Sequence, residues 1–243
     1  MIIDAHMHLG EDLLFNSNDN EEDILQYMEE NHIDGCILQT GLINHDVRKA
    51  NERIYAISKK YAGKFWGILA VTPIMDEDKY FDYVRWAIGD LGFKGLKLHP
   101  NAFCCPPNSP QAQKVFRAAE YFDIPVMIHT GIGVPASLPG LAMGPAQAFP
   151  DVKIILAHAG NTLFAGEALL VAQNYPNIYL ETSWTSIVDK KMFIDNLGVD
   201  RLIFGTDVPL NSSVEMYEYN KLDLEYEQYQ KIMGGNAKRV FNL

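Results

Sequence analysis

Short apolar runs recur along the chain at roughly 30-residue intervals, the length of one strand with its crossover helix. Eight are found, at residues 2–8, 33–40, 65–72, 93–99, 124–130, 152–158, 178–182 and 201–207. They are near-continuous in Val, Ile, Leu and Phe, as expected for parallel strands covered on both faces. Amphipathic stretches fill the gaps. Residues 21–31 open with acids, which suits a helix N-terminus, and residues 46–61 carry Val47, Ala50, Ile54 and Ile57 on one stripe. Residues 76–91, 109–122, 164–174 and 188–197 read alike, and 222–241 closes the chain as one or two helices, with Gly234-Gly235 as the expected break. The fifth helix is the exception, since 144–149 allows little more than a turn and a half. Eight alternating βα units predict an α/β fold, a (β/α)8 barrel, as a single domain over residues 1–243. A doubly wound open sheet is the alternative, but no glycine-rich dinucleotide fingerprint follows the first run.

A chain of 243 residues that is 48% hydrophobic can bury a large undivided core. No segment approaches the ~20 consecutive apolar residues of a membrane span. The N-terminus has no basic stretch and no cleavage site, so no signal peptide is expected. A formal charge of −11 argues against nucleic acid and anionic membranes as partners. A small-molecule substrate remains, with room for a homodimer. Three cysteines, Cys36, Cys104 and Cys105, give no disulfide framework, and reduced thiols point to the cytoplasm. The adjacent Cys104 and Cys105 fall in an expected loop, where soft-metal or redox chemistry competes with incidental exposure.

The histidines give this scaffold its chemistry. Five of the seven fall at the C-terminal ends of the apolar runs. His6 and His8 close the first run, and strand alternation points both to one face with Met7 opposite. His99 follows the fourth, His129 ends the fifth and His158 the sixth; Asp207 ends the eighth. In a closed barrel these ends share one mouth, where active sites lie. Each residue alone has a bland reading as a hydrogen-bonded strand-end group. Together, several imidazoles and one carboxylate with an open position for water make a catalytic metal arrangement. The remaining two are weaker candidates: His32 reads as a surface residue at a helix end, and His45 as a substrate contact near the second run's exit. Glu181 reads either as a hydrogen-bond partner of a metal-bound histidine or as a solvated acid.

The HxH run, Gly95-Leu96-Lys97-Leu98-His99-Pro100, Val126-Met127-Ile128-His129-Thr130-Gly131, Leu156-Ala157-His158-Ala159-Gly160 and Phe204-Gly205-Thr206-Asp207-Val208-Pro209 together resemble the amidohydrolase superfamily. More narrowly they resemble the amidohydrolase 2 branch, with aminocarboxymuconate-semialdehyde decarboxylase and metal-dependent lactonases and hydratases. The resemblance implies metal ligation by His6, His8, His129 and Asp207, with His158 as acid/base. It implies one divalent ion, zinc, with a second ion bridged through Lys97 as the alternative. The expected activity is that of a metal-dependent hydrolase, in which metal-activated water attacks an amide or lactone carbonyl, His158 and Asp207 being catalytic. A zinc-dependent carboxy-lyase of the same branch is the alternative reaction, and a metal-binding barrel without catalysis the non-enzymatic one. Lys97, His99, His45 and Trp184 are the expected substrate contacts, with the segments 9–20, 101–108, 131–143 and 211–219, and Asn161, around them. No arginine adjoins the ligands in the sequence, which favours hydrolysis over decarboxylation, although Arg48 is near enough along the chain to reach in.

Overall fold

The computed structural model describes residues 1–12, 17–41, 46–131 and 135–243. Strand β1 (Ile3–Asp12) leads to helix α1 (Glu21–Glu30), β2 (Gly35–Thr40) and α2 (Val47–Lys60). Strand β3 runs as Phe65–Gly67 and Leu69–Ala70 on either side of Ile68, and α3 (Glu77–Arg85) continues into a π-helical turn, Trp86–Asp90. There follow β4 (Leu96–Leu98), α4 (Gln113–Phe122), β5 (Val126–His129), α5 (Met143–Ala148), β6 (Ile154–Ala157), α6 (Ala165–Asn174), β7 (Ile178–Glu181), α7 (Ile187–Leu197) and β8 (Leu202–Ile203). Helices α8 (Ser212–Lys221), α9 (Tyr226–Gln230) and α10 (Asn236–Val240) end the chain. The strands pair in parallel in sequence order, β1 with β2 through to β7 with β8. The ring closes where β8 meets β1: Ala5 N–H donates to Phe204 O at 3.0 Å, Asp207 N–H to His6 O at 2.7 Å and His8 N–H to Asp207 O at 3.0 Å. This is the predicted (β/α)8 barrel. No helix among the described residues is long and apolar enough to cross a membrane.

Three features differ from expectation: the closing helical stretch begins at Tyr226 rather than 222 and passes through Gly234-Gly235 as a π-helical turn, Lys231–Gly235, instead of breaking there, and two others concern α4 and α8. The fourth helix begins at Gln113 rather than 109, after a run of turns. The segment 211–219, expected as a substrate loop, lies almost wholly in helix α8. That helix buries Glu215 and Tyr219 but exposes Val214 and Tyr217, so no apolar stripe marks it in the sequence.

Apolar side chains sort into two clusters. The larger lies between strands and helices and includes Leu38, Leu96, Ile128, Leu156 and Phe204. The smaller joins alternate residues of the strands, among them Ile37, Met127, Ile155 and Ile203, to Ala237, Val240 and Phe241. It is the barrel interior, with α10 and the residue after it packed under the floor.

Strand β1 changes phase part-way up. Asp4 pairs with Cys36 and Met7 with Leu38, so Ala5 and His6 together oppose Ile37. One extra residue makes a bulge that re-aims the side chains beyond it. Below it, Ile3 and Ala5 join the interior cluster; above it, Met7 and Leu9 join the outer one, leaving His6 and His8 to the interior. Asp4 holds the bulge. Its Oδ1 accepts His6 N–H at 2.9 Å and Thr206 N–H at 3.1 Å, and its Oδ2 accepts the Thr206 hydroxyl at 2.6 Å and the Tyr27 hydroxyl of α1.

Candidate metal centre

His6 and His8 reach the mouth with their protons already placed. His6 Nδ1 lies 2.7 Å from the Glu181 carboxylate, and His8 Nδ1 lies 3.1 Å from the Thr40 carbonyl. A carboxylate or carbonyl oxygen only accepts, so each Nδ1 carries its ring's proton and each Nε2 is a bare lone pair. Lys97 Nζ donates to His6 Nε2 at 2.8 Å, and the Gln39 amide donates to His8 Nε2 at 2.8 Å. Burial, then the Lys97 cation, holds His6 well below the usual imidazole range, so the ring is neutral.

Both Nε2 atoms lie 3.2 Å from Asp207 Oδ1. Two imidazole nitrogens and a carboxylate oxygen therefore converge, with the Lys97 and Gln39 donors beside the nitrogens. Two imidazoles with one carboxylate make a donor set that fits a divalent ion. The potential ligand atoms of His6, His8 and Asp207 all lie within 4.8 Å of one another. Trp184 donates its indole N–H to Asp207 Oδ2 at 2.8 Å, which leaves Oδ1 for the ion. Asp207 adopts φ +72°, the left-handed backbone that lets its N–H and C=O bind β1 while its side chain turns inward.

The other expected site residues gather around this group. His129 sits beside it rather than within it, with its Nδ1 3.1 Å from His158 Nε2 and its ring stacked on His99 at 4.0 Å between centroids. His99 Nδ1 accepts Ala102 N–H at 3.2 Å, so the neutral His99 ring carries its proton on Nε2 and is a donor there. Burial pulls His99 down to about 2 and His158 to about 4. Lys97 is buried, and desolvation pulls it down to about 8 against the attraction of Asp207 and Glu181. Trp184, 42% exposed, has φ +60°, and its main-chain N–H is held by Glu215 of α8 at 2.7 Å. His45 lies outside the described residues.

Glu181 is no solvated acid. It is fully buried, and besides His6 it accepts His158 N–H at 3.2 Å, Ser183 N–H at 2.7 Å and the Ser183 hydroxyl at 3.0 Å. Ser183, which sequence reasoning missed, also lies 2.8 Å from His158 Nδ1. Gly205 explains its own place in the eighth strand-end motif: a Cβ there would lie 2.7 Å from Glu181 Oε1 and 2.9 Å from His6 Cβ. Arg48 does not reach in, since its guanidinium stacks over Trp86 at 4.7 Å and Tyr83 at 5.2 Å. His32 is exposed at the end of α1, and Cys104 is exposed while Cys105 is buried.

Solved structures share this architecture along the whole chain. A 2,6-dihydroxybenzoate decarboxylase complexed with 2,6-dihydroxybenzoate superposes with a TM-score of 0.80 at 18% identity, covering 99% of this chain and 98% of that one. A dihydroxybenzoic acid decarboxylase from Polaromonas sp. JS666, with bound manganese and 2-nitroresorcinol, gives 0.80 at 18% identity over 100% and 97%. The 5-carboxyvanillate decarboxylase of Sphingomonas paucimobilis gives 0.79 at 16% identity over 100% and 99%. The activities named for these neighbours are decarboxylations, which overturns the preference for amide or lactone hydrolysis. That preference leaned on the lack of an arginine beside the ligands; the buried cation of the mouth is instead Lys97, on β4. The amidohydrolase family model matches residues 3–243, from the strand that carries His6 and His8 to the last residue, and the chain belongs to that family.

Proposed function

We propose that the protein is a metal-dependent carboxy-lyase that removes CO2 from a hydroxylated aromatic carboxylate. Lys97 is the observation that carries this reading. Its ammonium is buried at the mouth, donates to His6 Nε2 and pairs with no carboxylate among the described residues. A buried cation without an anionic partner is costly, and a substrate carboxylate supplies that partner. The neighbours named for dihydroxybenzoate and carboxyvanillate decarboxylation act on substrates of this chemistry.

His6, His8 and Asp207, with His129 beside them, would hold the ion; an imidazole-rich set suits zinc, while one neighbour binds manganese. Such an ion supplies Lewis-acid polarisation of a substrate oxygen. Lys97 and the His99 Nε2–H bind the carboxylate, and the exposed Trp184 indole offers a face for the ring. His158 Nε2, a bare base at neutral pH, takes the proton of a ring hydroxyl and passes it to the carbon that bears the carboxylate. The bond from that carbon to the carboxylate then breaks, its electron pair returns to the ring and CO2 leaves. The test is a panel of hydroxybenzoates, lactones and amides given to protein loaded with zinc or with manganese, with CO2 release and elemental analysis as readouts. CO2 from a hydroxybenzoate and about one ion per chain are expected. Turnover confined to lactones or amides, without CO2, would overturn the reading.

A further inference from the structure

At the end of β7, one carboxylate and one hydroxyl touch a chain of hydrogen bonds whose direction can be worked out atom by atom. Glu181 Oε2 lies 3.0 Å from Ser183 Oγ, Ser183 Oγ 2.8 Å from His158 Nδ1, and His158 Nε2 3.1 Å from His129 Nδ1. A carboxylate cannot donate, so the single hydroxyl proton of Ser183 points to Glu181. Ser183 Oγ is then left as the acceptor toward His158, whose Nδ1 must carry the ring proton. His158 Nε2 is therefore bare and accepts from His129 Nδ1–H, which leaves His129 Nε2 bare in turn. The same Glu181 oxygen takes His6 Nδ1–H at 2.7 Å and so bares His6 Nε2. Reversing any bond in this chain sets two donors or two acceptors against each other.

The geometry points to Glu181 and Ser183 as positioning residues that act as one relay, placing the ring protons of His6, His158 and His129 so that all three present a bare Nε2 at the barrel mouth. His8 reaches the same state independently through Thr40 O, and His99 is set the opposite way by Ala102 N–H. Three rings on three strands are thus matched to lone-pair roles by two side chains of a fourth. A merely structural Glu181, closing strand ends together, would hold the backbone of residues 158 and 183 but leave the ring tautomers to solvent. The relay concerns proton positions in the resting chain and stands whichever substrate the site takes.

The experiment is nitrogen-15 NMR of histidine-labelled protein, metal-free and loaded with zinc, in wild type, Ser183→Ala, Ser183→Thr and Glu181→Gln. In the wild type, His6, His8, His129 and His158 are expected as Nδ1–H tautomers and His99 as the Nε2–H tautomer. Ser183→Ala is expected to mix the tautomers of His158 and His129 while leaving those of His6 and His8 alone, and Ser183→Thr to restore them. Glu181→Gln is expected to disturb His6 as well and to lower zinc affinity by about 10–100-fold, the range for partners that orient a ligand from behind. Unchanged His158 and His129 ring shifts in Ser183→Ala overturn the relay, whether or not Glu181→Gln folds. A decarboxylase assay that finds no CO2 leaves these spectra unaffected, so the two readings fail separately.

Discussion

Ile155 and His158 lie on the same short stretch of chain, the first in β6 and the second just beyond it, yet they obey opposite physics. Ile155 is fully buried in the interior cluster above α10, where shape and apolar area decide its worth. His158 is nearly as buried, at 3% exposure, but every ring nitrogen has a partner and its backbone sits at φ +64°. The floor follows strand alternation and sums into stability. The mouth departs from it, with left-handed residues at His158, Ala159, Trp184 and Asp207, and gathers imidazoles and a carboxylate around one point. Stability and function are stacked in one lumen, one above the other.

The largest expected effect that separates the layers is collective. His6, His99, His129 and His158 are held neutral, all below the usual imidazole range and mainly by burial. Unfolding releases rings that take up protons below about pH 6.5. Between that pH and the depressed folded values, about 4 for His158, the unfolded chain binds more protons than the native one. The rings' share of stability is therefore complete above pH 6.5 and lost as pH falls toward 4, offset in part by Asp4 and Glu215, which burial raises to about 7 and which favour the native state as pH falls. Four rings outweigh these acids, so thermal melts of metal-free protein are expected to fall across this window, and stability that rises toward pH 4 would place charged rings in the mouth.

Next comes a matched pair of substitutions. His8→Ala is expected to lower metal affinity by more than the ~10–100-fold loss assigned to outer partners, with little loss of metal-free stability. Ile155→Ala is expected to cost about 2–5 kcal/mol of stability with the metal content of the folded fraction unchanged. Calorimetry with elemental analysis separates them, and equal metal loss in both would erase the division into layers. The smallest effect tests the seam. Gly205→Ala inserts a methyl between Glu181 and His6 and is expected to cost about 1–3 kcal/mol while also weakening metal binding, because the crowded atoms belong to the mouth.

Much of the floor was legible in the sequence because parallel strands write themselves as apolar runs, and the ring of strand ends followed from counting them. Lys97, His99, His129 and Asp207 came with it, each on or just past its strand. Three things were not legible. The bulge depends on Asp4 meeting Thr206, a contact between the two ends of the chain. Alternation alone puts His158 outside, beside Leu156, and only its left-handed backbone swings it in. Ser183 gave no signal, since a serine past a strand is common and its importance lies in two distances. The reaction was not legible for a related reason: no arginine adjoins the ligands along the chain, whereas the barrel brings Lys97 to His6 from a strand 91 residues away.

The bulge in β1 also divides the strand's heredity. Because the facing of side chains is reset between Asp4 and Met7, residues beneath it can be exchanged to suit the packing of α10 without turning the histidines away from their ion. Straightening the bulge with every residue kept would do the reverse, leaving every atom of both imidazoles in the protein while presenting them to the helices. The pair is thus addressed by an insertion as much as by its two letters, and a chain can keep His-x-His and still forfeit its metal.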